Sequence, residues 1–107
     1  MLQVENIACT NNAGFDMHFN VEYLDPNTGQ FAESPPDSGS YPIDQTRTIK
    51  LDTTQVPVGA SLRPRVHADG GDTESGDTLV QYAQNGQTAT YEVHGTTLDF
   101  SVKLITG

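Results

Sequence analysis

The sequence predicts an all-β protein: one domain over residues 1–107, folded as a single antiparallel β-sandwich of seven or eight strands. Three observations carry that expectation. Apolar residues recur at period two in segment after segment, turn signals fall about every ten residues, and no segment holds the 3.6-residue period of an amphipathic helix. Composition agrees, since Thr, Ser, Asn, Gln and Gly supply most of the polarity and charged residues make up only 18%, a mixture that favours strands and turns. A chain of 107 residues has the size of one domain and buries somewhat over about 60% of its unfolded surface around a single core.

The elements follow in order. "MLQVENIACTNN" alternates as a strand over Leu2–Ala8, without the charged start and continuous apolar run of a secretion signal. The expected location is the cytoplasm, or outside the cell by a route that needs no visible signal peptide. "GFDMHFNVEYLDPNTGQF" is the most regular segment, with Phe15, Met17, Phe19, Val21 and Tyr23 alternating against Asp16, His18, Asn20 and Glu22, the pattern of a half-buried strand. In "DPNTG", Pro26 presets the first turn position and Gly29 takes positive φ, giving a hairpin whose return strand begins over Gln30–Glu33.

"ESPPDSGSYP" reads as a loop, because three prolines deny it ladder hydrogen bonds. "YPIDQTRTIKLD" alternates Ile43, Gln45, Arg47, Ile49 and Leu51 against Asp44, Thr46, Thr48 and Lys50, another strand. "ASLRPRVHAD" sets Leu62, Pro64, Val66 and Ala68 on one face and Arg63, Arg65 and His67 on the other, with Pro64 assigning the strand to an edge or a bulge. Next come "TLVQYA" and, past the "QNGQ" turn, "TATYEVHG" with Ala89, Tyr91 and Val93 inward. "TTLDFSVKLI" closes the series with Leu98, Phe100, Val102 and Leu104 in alternation. The expected core is Phe19, Val21, Ile49, Val66, Tyr91, Phe100 and Val102.

Charge excludes some functions. Five Lys and Arg against fourteen Asp and Glu give a net charge of −9, so a nucleic acid or an anionic lipid surface is repelled at long range. Apolar runs of a few residues fall far short of the roughly 20 that span a bilayer, so the chain reads as soluble and not transmembrane. The lone Cys9 has no disulfide partner within the chain, and the histidines show no zinc spacing. A hydrolase needs a nucleophile beside a base and an orienting acid. There is no GxSxG turn, and Cys9 lies in an apparent strand where an inert buried thiol is expected. The expectation is that the chain is not an enzyme.

"HADGGDTESGD" gathers Asp69, Asp72, Glu74 and Asp77 with three glycines. Calcium takes six to eight oxygens, and glycines let a chain curl around an ion, but the acids lie three, two and three residues apart instead of at EF-hand positions. The expectation is a mobile, solvated hairpin loop, with calcium as the one cofactor the segment could take. Arg63, Arg65 and His67 form a positive strip that either grips an acidic group of a partner or pairs across strands with Asp and Glu of the same molecule. Tyr41, in the Pro-rich loop, is the candidate free aromatic for ligand contact, whereas Tyr23 and Tyr91 fall in line with the core.

In element order, "NNAGFDMHFNVEYLD", then "YPIDQTRTIKL", and above all the closing "YEVHGTTLDFSVKL", the chain resembles small bacterial β-sandwich proteins of the aegerolysin or actinoporin-like kind. The resemblance implies a two-sheet sandwich that binds membrane lipid or partner proteins. It carries over no functional residue, and the chain departs from it by lacking tryptophan, on which those proteins lean at the membrane interface. The expected function is a self-associating or partner-binding structural module, a homo-oligomer or the companion of another protein. The alternative is a lipid- or glycan-binding module of the aegerolysin-like type, associated with a toxin. Sandwich edges need blunting by Lys or Pro, and only Lys50, Lys103 and Pro64 offer themselves.

Overall fold

A computed structural model describes residues 1–106. Its strands are β1 (Gln3–Val4), β2 (Asn6–Asn11), β3 (Met17–Leu24), β4 (Phe31–Ser34), β5 (Thr46–Lys50), β6 (Ser61–Ala68), β7 (Thr73–Ser75), β8 (Val80–Tyr82), β9 (Thr88–Thr96) and β10 (Asp99–Thr106), with one 3-10 turn at Leu51–Thr53. The larger sheet runs β1-β8-β6-β3-β4, with β7 also beside β6, and the smaller runs β10-β9-β2-β5. The protein is all-β, as the periodicity predicts. It is not a purely antiparallel sandwich of seven or eight strands: the described residues form ten, and both sheets are mixed, because β1 lies parallel to β8 and β2 parallel to β9.

The split at the start has a local cause. Gln87 O accepts from both Glu5 N (2.8 Å) and Asn6 N (3.0 Å), and the Glu5 carboxylate takes Gly86 N at 2.8 Å. The "QNGQ" turn therefore wedges in at Glu5, and the stretch expected as one strand over Leu2–Ala8 becomes two strands in different sheets. A second boundary shifts at Asp44, whose φ of 71° turns the chain while its amide donates to Asn11 O at 2.7 Å. The expected long strand from Tyr41 shrinks to β5, leaving Ile43 exposed and Leu51 buried in the turn that follows.

Pro64, expected to mark an edge strand or a bulge, sits in the middle of a central strand, so the edge assignment is corrected. On one side of β6 it faces Val21 of β3. On the other, β6 pairs with β8 up to Leu62 and with β7 from Arg65 onward, so Pro64 falls where the partner changes. Its carbonyl accepts Gly76 N at 2.9 Å. The ladder is already interrupted there, so the missing amide hydrogen leaves no bond broken.

The seven expected core residues are all buried between the sheets, joined by Ile7, Met17, Leu62, Val80, Val93 and others. Each large aliphatic or aromatic side chain so buried contributes about 1.5–3 kcal/mol. Leu98 is the exception to its segment's alternation: it occupies the β9–β10 hairpin tip and is exposed.

Candidate functional site: the outer face of the larger sheet

Antiparallel register places His18 opposite His67, Asn20 opposite Arg65 and Glu22 opposite Arg63, and the strand period turns all six to the outer face. Glu22 is nearly fully buried there, 3% exposed. Its charge is met by Arg63 Nε at 2.7 Å and Arg65 Nη1 at 3.5 Å, and the Ser75 hydroxyl of β7 donates to it. Removing one partner of such a desolvated pair is more damaging than the pair's net worth suggests. Arg65 Nε lies 3.4 Å from Glu33 Oε1 yet makes no hydrogen bond. Arg63 also lies over the Phe31 ring, 4.1 Å from its centroid, a cation–π contact that fixes both groups.

At the far rung the His18 and His67 rings stack, 4.9 Å apart and 17° from parallel. His67 Nδ1 is 3.0 Å from the Thr73 hydroxyl and Nε2 is 3.3 Å from Asn20 Oδ1. Burial first, and then the neighbouring His18, hold the His67 pKa below its ordinary value; Arg65 adds to this, while Glu33 and Asp37 oppose it. His18 Nδ1 sits 3.0 Å from Asp69 Oδ1, and the Ser40 hydroxyl donates to Asp69 Oδ2 at 2.6 Å. That hydroxyl, with help from His18, lowers the Asp69 pKa. Arg63, Arg65 and His67 thus share a face as the sequence indicates, and each meets partners within the molecule.

Tyr41 is not a free aromatic. It is 1% exposed, bridges Met17 across the free side of β3 and donates its hydroxyl to Cys9 O at 2.8 Å. Phe19 meets its ring edge-on and Arg47 covers it, 5.0 Å from the centroid. The Pro-rich loop closes one side of the sandwich, and its tyrosine is the plug. Burial pushes both the Cys9 thiol and the Tyr41 phenol well above their ordinary pKa values.

The acidic segment is solvent-exposed, as expected, but its backbone is braced and its carboxylates do not converge. Its backbone is bonded to both sheets: Asp69 N to Asp16 O, Asp72 N to Thr97 O and Asp77 N to Val102 O, all within 2.9 Å, with β7 paired to β6 in between. Two of its glycines serve close packing, since a Cβ on Gly71 would come 2.3 Å from Thr97 O and one on Gly76 would come 2.8 Å from the Tyr91 ring. The four carboxylates diverge. Asp69 turns to His18 and Ser40, and Asp77 accepts Leu104 N at 2.9 Å on the open side of β10. Among the described residues no three His, Cys, Asp or Glu side chains gather as a metal site.

At the other end of the same face lies an open groove of about 430 Å³, lined by Leu24, Pro26, Pro57, Val58, Gly59, Ala60 and Ser61. It separates the β3–β4 hairpin from the turn that leads into β6. Leu24 and Val58 are its exposed apolar lining residues, and the exposed Phe31 pairs directly with Leu24 across the hairpin.

Neither a protein-family model nor a curated protein sequence matches this chain. Its fold is found in part of listeriolysin O. That structure superposes with a TM-score of 0.50 and 12% identity over 95% of this chain and 22% of that chain. Pneumolysin gives a TM-score of 0.49 and 11% identity over 95% and 23%. The chain spans about a fifth of the length of either protein. The aegerolysin-like resemblance thus gives way to a coarser likeness among β-rich folds. Among the described residues no helix is long and apolar enough to cross a membrane.

The groove residues went unremarked in the sequence, although a signal was present. Leu24 has the parity of His18, Asn20 and Glu22, so it is an apolar residue at a polar-face position, directly before the "DPNTG" turn. Phe31 enters on the same face from the returning strand.

Proposed function

We propose that this chain is a non-enzymatic binding module, and that its protein partners seat an apolar side chain in the groove between the β3–β4 hairpin and the turn before β6. One observation carries the reading: exposed Leu24 and Val58 line an open apolar groove, while Arg63, Arg65 and His67 on the same face are occupied by intramolecular partners. Apolar surface left uncovered in this way marks an interaction site more often than scattered exposed residues do. No lining residue carries a charge, and the volume falls within the roughly 300–1,000 Å³ of small-ligand and side-chain sites. The occurrence of this fold as a fifth of a longer chain supports a module that acts by contact with other polypeptide.

The test is selection of displayed random peptides on the protein, with counter-selection on Val58→Asp. Val58 is a 59% exposed turn residue, so this change spares the fold. Selected peptides should share an apolar anchor and bind the variant at least about tenfold more weakly, a difference of about 1.4 kcal/mol. Equal binding to both proteins sinks the reading. Neutral phosphatidylcholine vesicles and a glycan array run alongside: capture by either, with no peptide selected, replaces it with the lipid or glycan alternative.

A further inference from the structure

We infer that the Pro-rich loop is a proton-operated strap: when the stacked histidine pair takes up one proton, on His18, Asp37 of the loop closes onto that ring and draws the loop down on the larger sheet. The inference is independent of the groove, which lies at the other end of the same face.

His18 is approached from two sides. Its Nδ1 lies 3.0 Å from Asp69 Oδ1 in the acidic segment, so Nδ1 carries the hydrogen of the neutral ring. Its Nε2 lies 3.9 Å from Asp37 Oδ2 of the loop, too far for a hydrogen bond. The other Asp37 oxygen is already engaged, accepting Gly39 N at 2.7 Å. A proton added to the ring goes to Nε2 and makes it a donor. The charge-assisted bond it then offers is about 2.8 Å long, so Asp37 has about 1 Å to travel. The ring and the two carboxylates are 34%, 48% and 39% exposed, which leaves room for that movement.

The surroundings decide which ring is charged. The two rings stack 4.9 Å apart, and a histidine pair in contact takes up its protons in two separate steps. Asn20 Nδ2 donates to Glu33 Oε1 at 3.0 Å, which turns Asn20 Oδ1 toward His67 Nε2 at 3.3 Å. The Thr73 hydroxyl, 3.0 Å from Nδ1, serves the other nitrogen. A neutral His67 with its hydrogen on Nε2 therefore has both nitrogens satisfied. Burial, His18 and Arg65 oppose a charge on it, against Glu33 and Asp37. Around His18 stand the carboxylates of Asp37 and Asp69, with Asp16 just before β3. Glu22, farther along β3, is already met by Arg63 and Arg65.

The loop is built to pass the movement on. Ser38 N donates to Phe19 O at 2.8 Å, and Phe19 N donates to Ser38 Oγ at 2.9 Å. Ser38 O accepts Arg47 Nη1 at 2.8 Å, and the Ser40 hydroxyl donates to Asp69. The residues beside Asp37 thus already tie the loop to β3, to β5 and to the acidic segment, and the link from Asp37 to His18 is the one still open. Closing it tightens the cover over Tyr41, which Arg47 and this loop provide.

NMR titration of the full chain from about pH 8 to about pH 5 covers the range in which histidine takes its charge while most carboxylates stay ionised. The Asp37 carboxyl and Ser38 amide resonances should move with the same midpoint as the His18 ring, with the His67 ring following at lower pH. Exchange protection of the Ser38 amide, corrected for the intrinsic pH dependence of exchange, should rise about two- to fivefold, the worth of a partly exposed ion pair. Asp37→Asn, at an exposed position, should abolish the rise while His18 still titrates, and its amide spectrum at about pH 8 should match the wild type elsewhere. His67→Gln should keep the rise, and His18→Gln should abolish it. Flat protection in the wild type overturns the inference, as does a rise that survives Asp37→Asn or a His67 ring that titrates before His18. Should His18→Gln fail to fold, Asp37→Asn alone decides.

Discussion

Asn11 offers the sharpest test of how the sandwich is closed. It ends β2 with its side chain fully buried. Its amide donates to Phe15 O at 2.8 Å and Tyr41 O at 3.2 Å, and its carbonyl accepts Ala13 N at 3.0 Å. One side chain thus ties the β2–β3 turn to the Pro-rich loop. In Asn11→Ala, Tyr41 O keeps Met17 N at 3.1 Å, but Phe15 O and Ala13 N lose their partner. Each orphaned buried group costs about 1–3 kcal/mol. With the small cavity added, the expected loss is about 3–5 kcal/mol, a large part of the roughly 5–15 kcal/mol that holds a domain together. Asn11→Asp keeps the acceptor for Ala13 but aims an oxygen at two carbonyls, so at neutral pH it should be at least as damaging, with relief in acid when the carboxyl gains a proton to donate. Urea unfolding of both variants, with Asn12→Ala as control, reads the result directly. Asn12 is half-buried, and its replacement should stay within about 0.5 kcal/mol. An Asn11→Ala loss below about 1 kcal/mol refutes the assignment of Asn11 as the clasp.

Phe19→Ala and Phe100→Ala, at buried positions against Tyr41 and Phe15 respectively, should each lower unfolding free energy by about 3–5 kcal/mol; near-neutral results at both would contradict the shared core. His67 is held below its ordinary pKa, so the unfolded chain takes up a proton that the folded chain resists. Its contribution to stability is therefore full above about pH 6.5 and is lost as pH falls from there, and His67→Gln should flatten the slope of a melting-temperature profile below about pH 6.5. Millimolar calcium should leave the melting temperature unchanged, and Asp72→Asn should be neutral, because Asp69 and Asp77 are turned to partners of their own and no three acidic or histidine side chains gather among the described residues. A rise of several degrees with calcium, abolished by Asp72→Asn, would reverse that conclusion.

Much of the fold is legible in the sequence because burial on one face writes itself as alternation. β3, β6, β9 and β10 each carry it, and their inward residues are where the pattern puts them. Pairing direction is not written that way, since a strand alternates identically whether its neighbour runs parallel or antiparallel; β1 with β8 and β2 with β9 are settled by contacts far apart in the chain. β7 is invisible for a different reason. Thr73–Ser75 buries no large apolar group and is held by backbone bonds to β6. The Arg63, Arg65 and His67 strip was readable as a shared face, with cross-strand pairing to Asp and Glu of the same molecule as one of its two readings, but which acids pair was not, because Glu22 and Glu33 reach it only through register. Tyr41 misled because three prolines suggest a free loop, whereas here the loop laps back over β3.

The two parallel pairings also set the order in which the molecule can assemble. β2 is flanked by β5, about forty residues later, and by β9, beyond residue 87. β1 likewise waits for β8. As the chain emerges from synthesis, its first strands are made early and find their places, β1 at the edge of one sheet and β2 inside the other, only once the last third exists, and closing such distant contacts slows folding. Until then the apolar side of β2, with Ile7 and Cys9, has no complete sheet to join, and an unpaired strand of this kind is open to mispairing. In the larger sheet the β3–β4 hairpin and the β6–β7–β8 run join strands close in sequence, whereas β3 meets β6 only across some forty to fifty residues. Those local units are the natural first nuclei, and the β2–β9 pairing is the step that completes the smaller sheet.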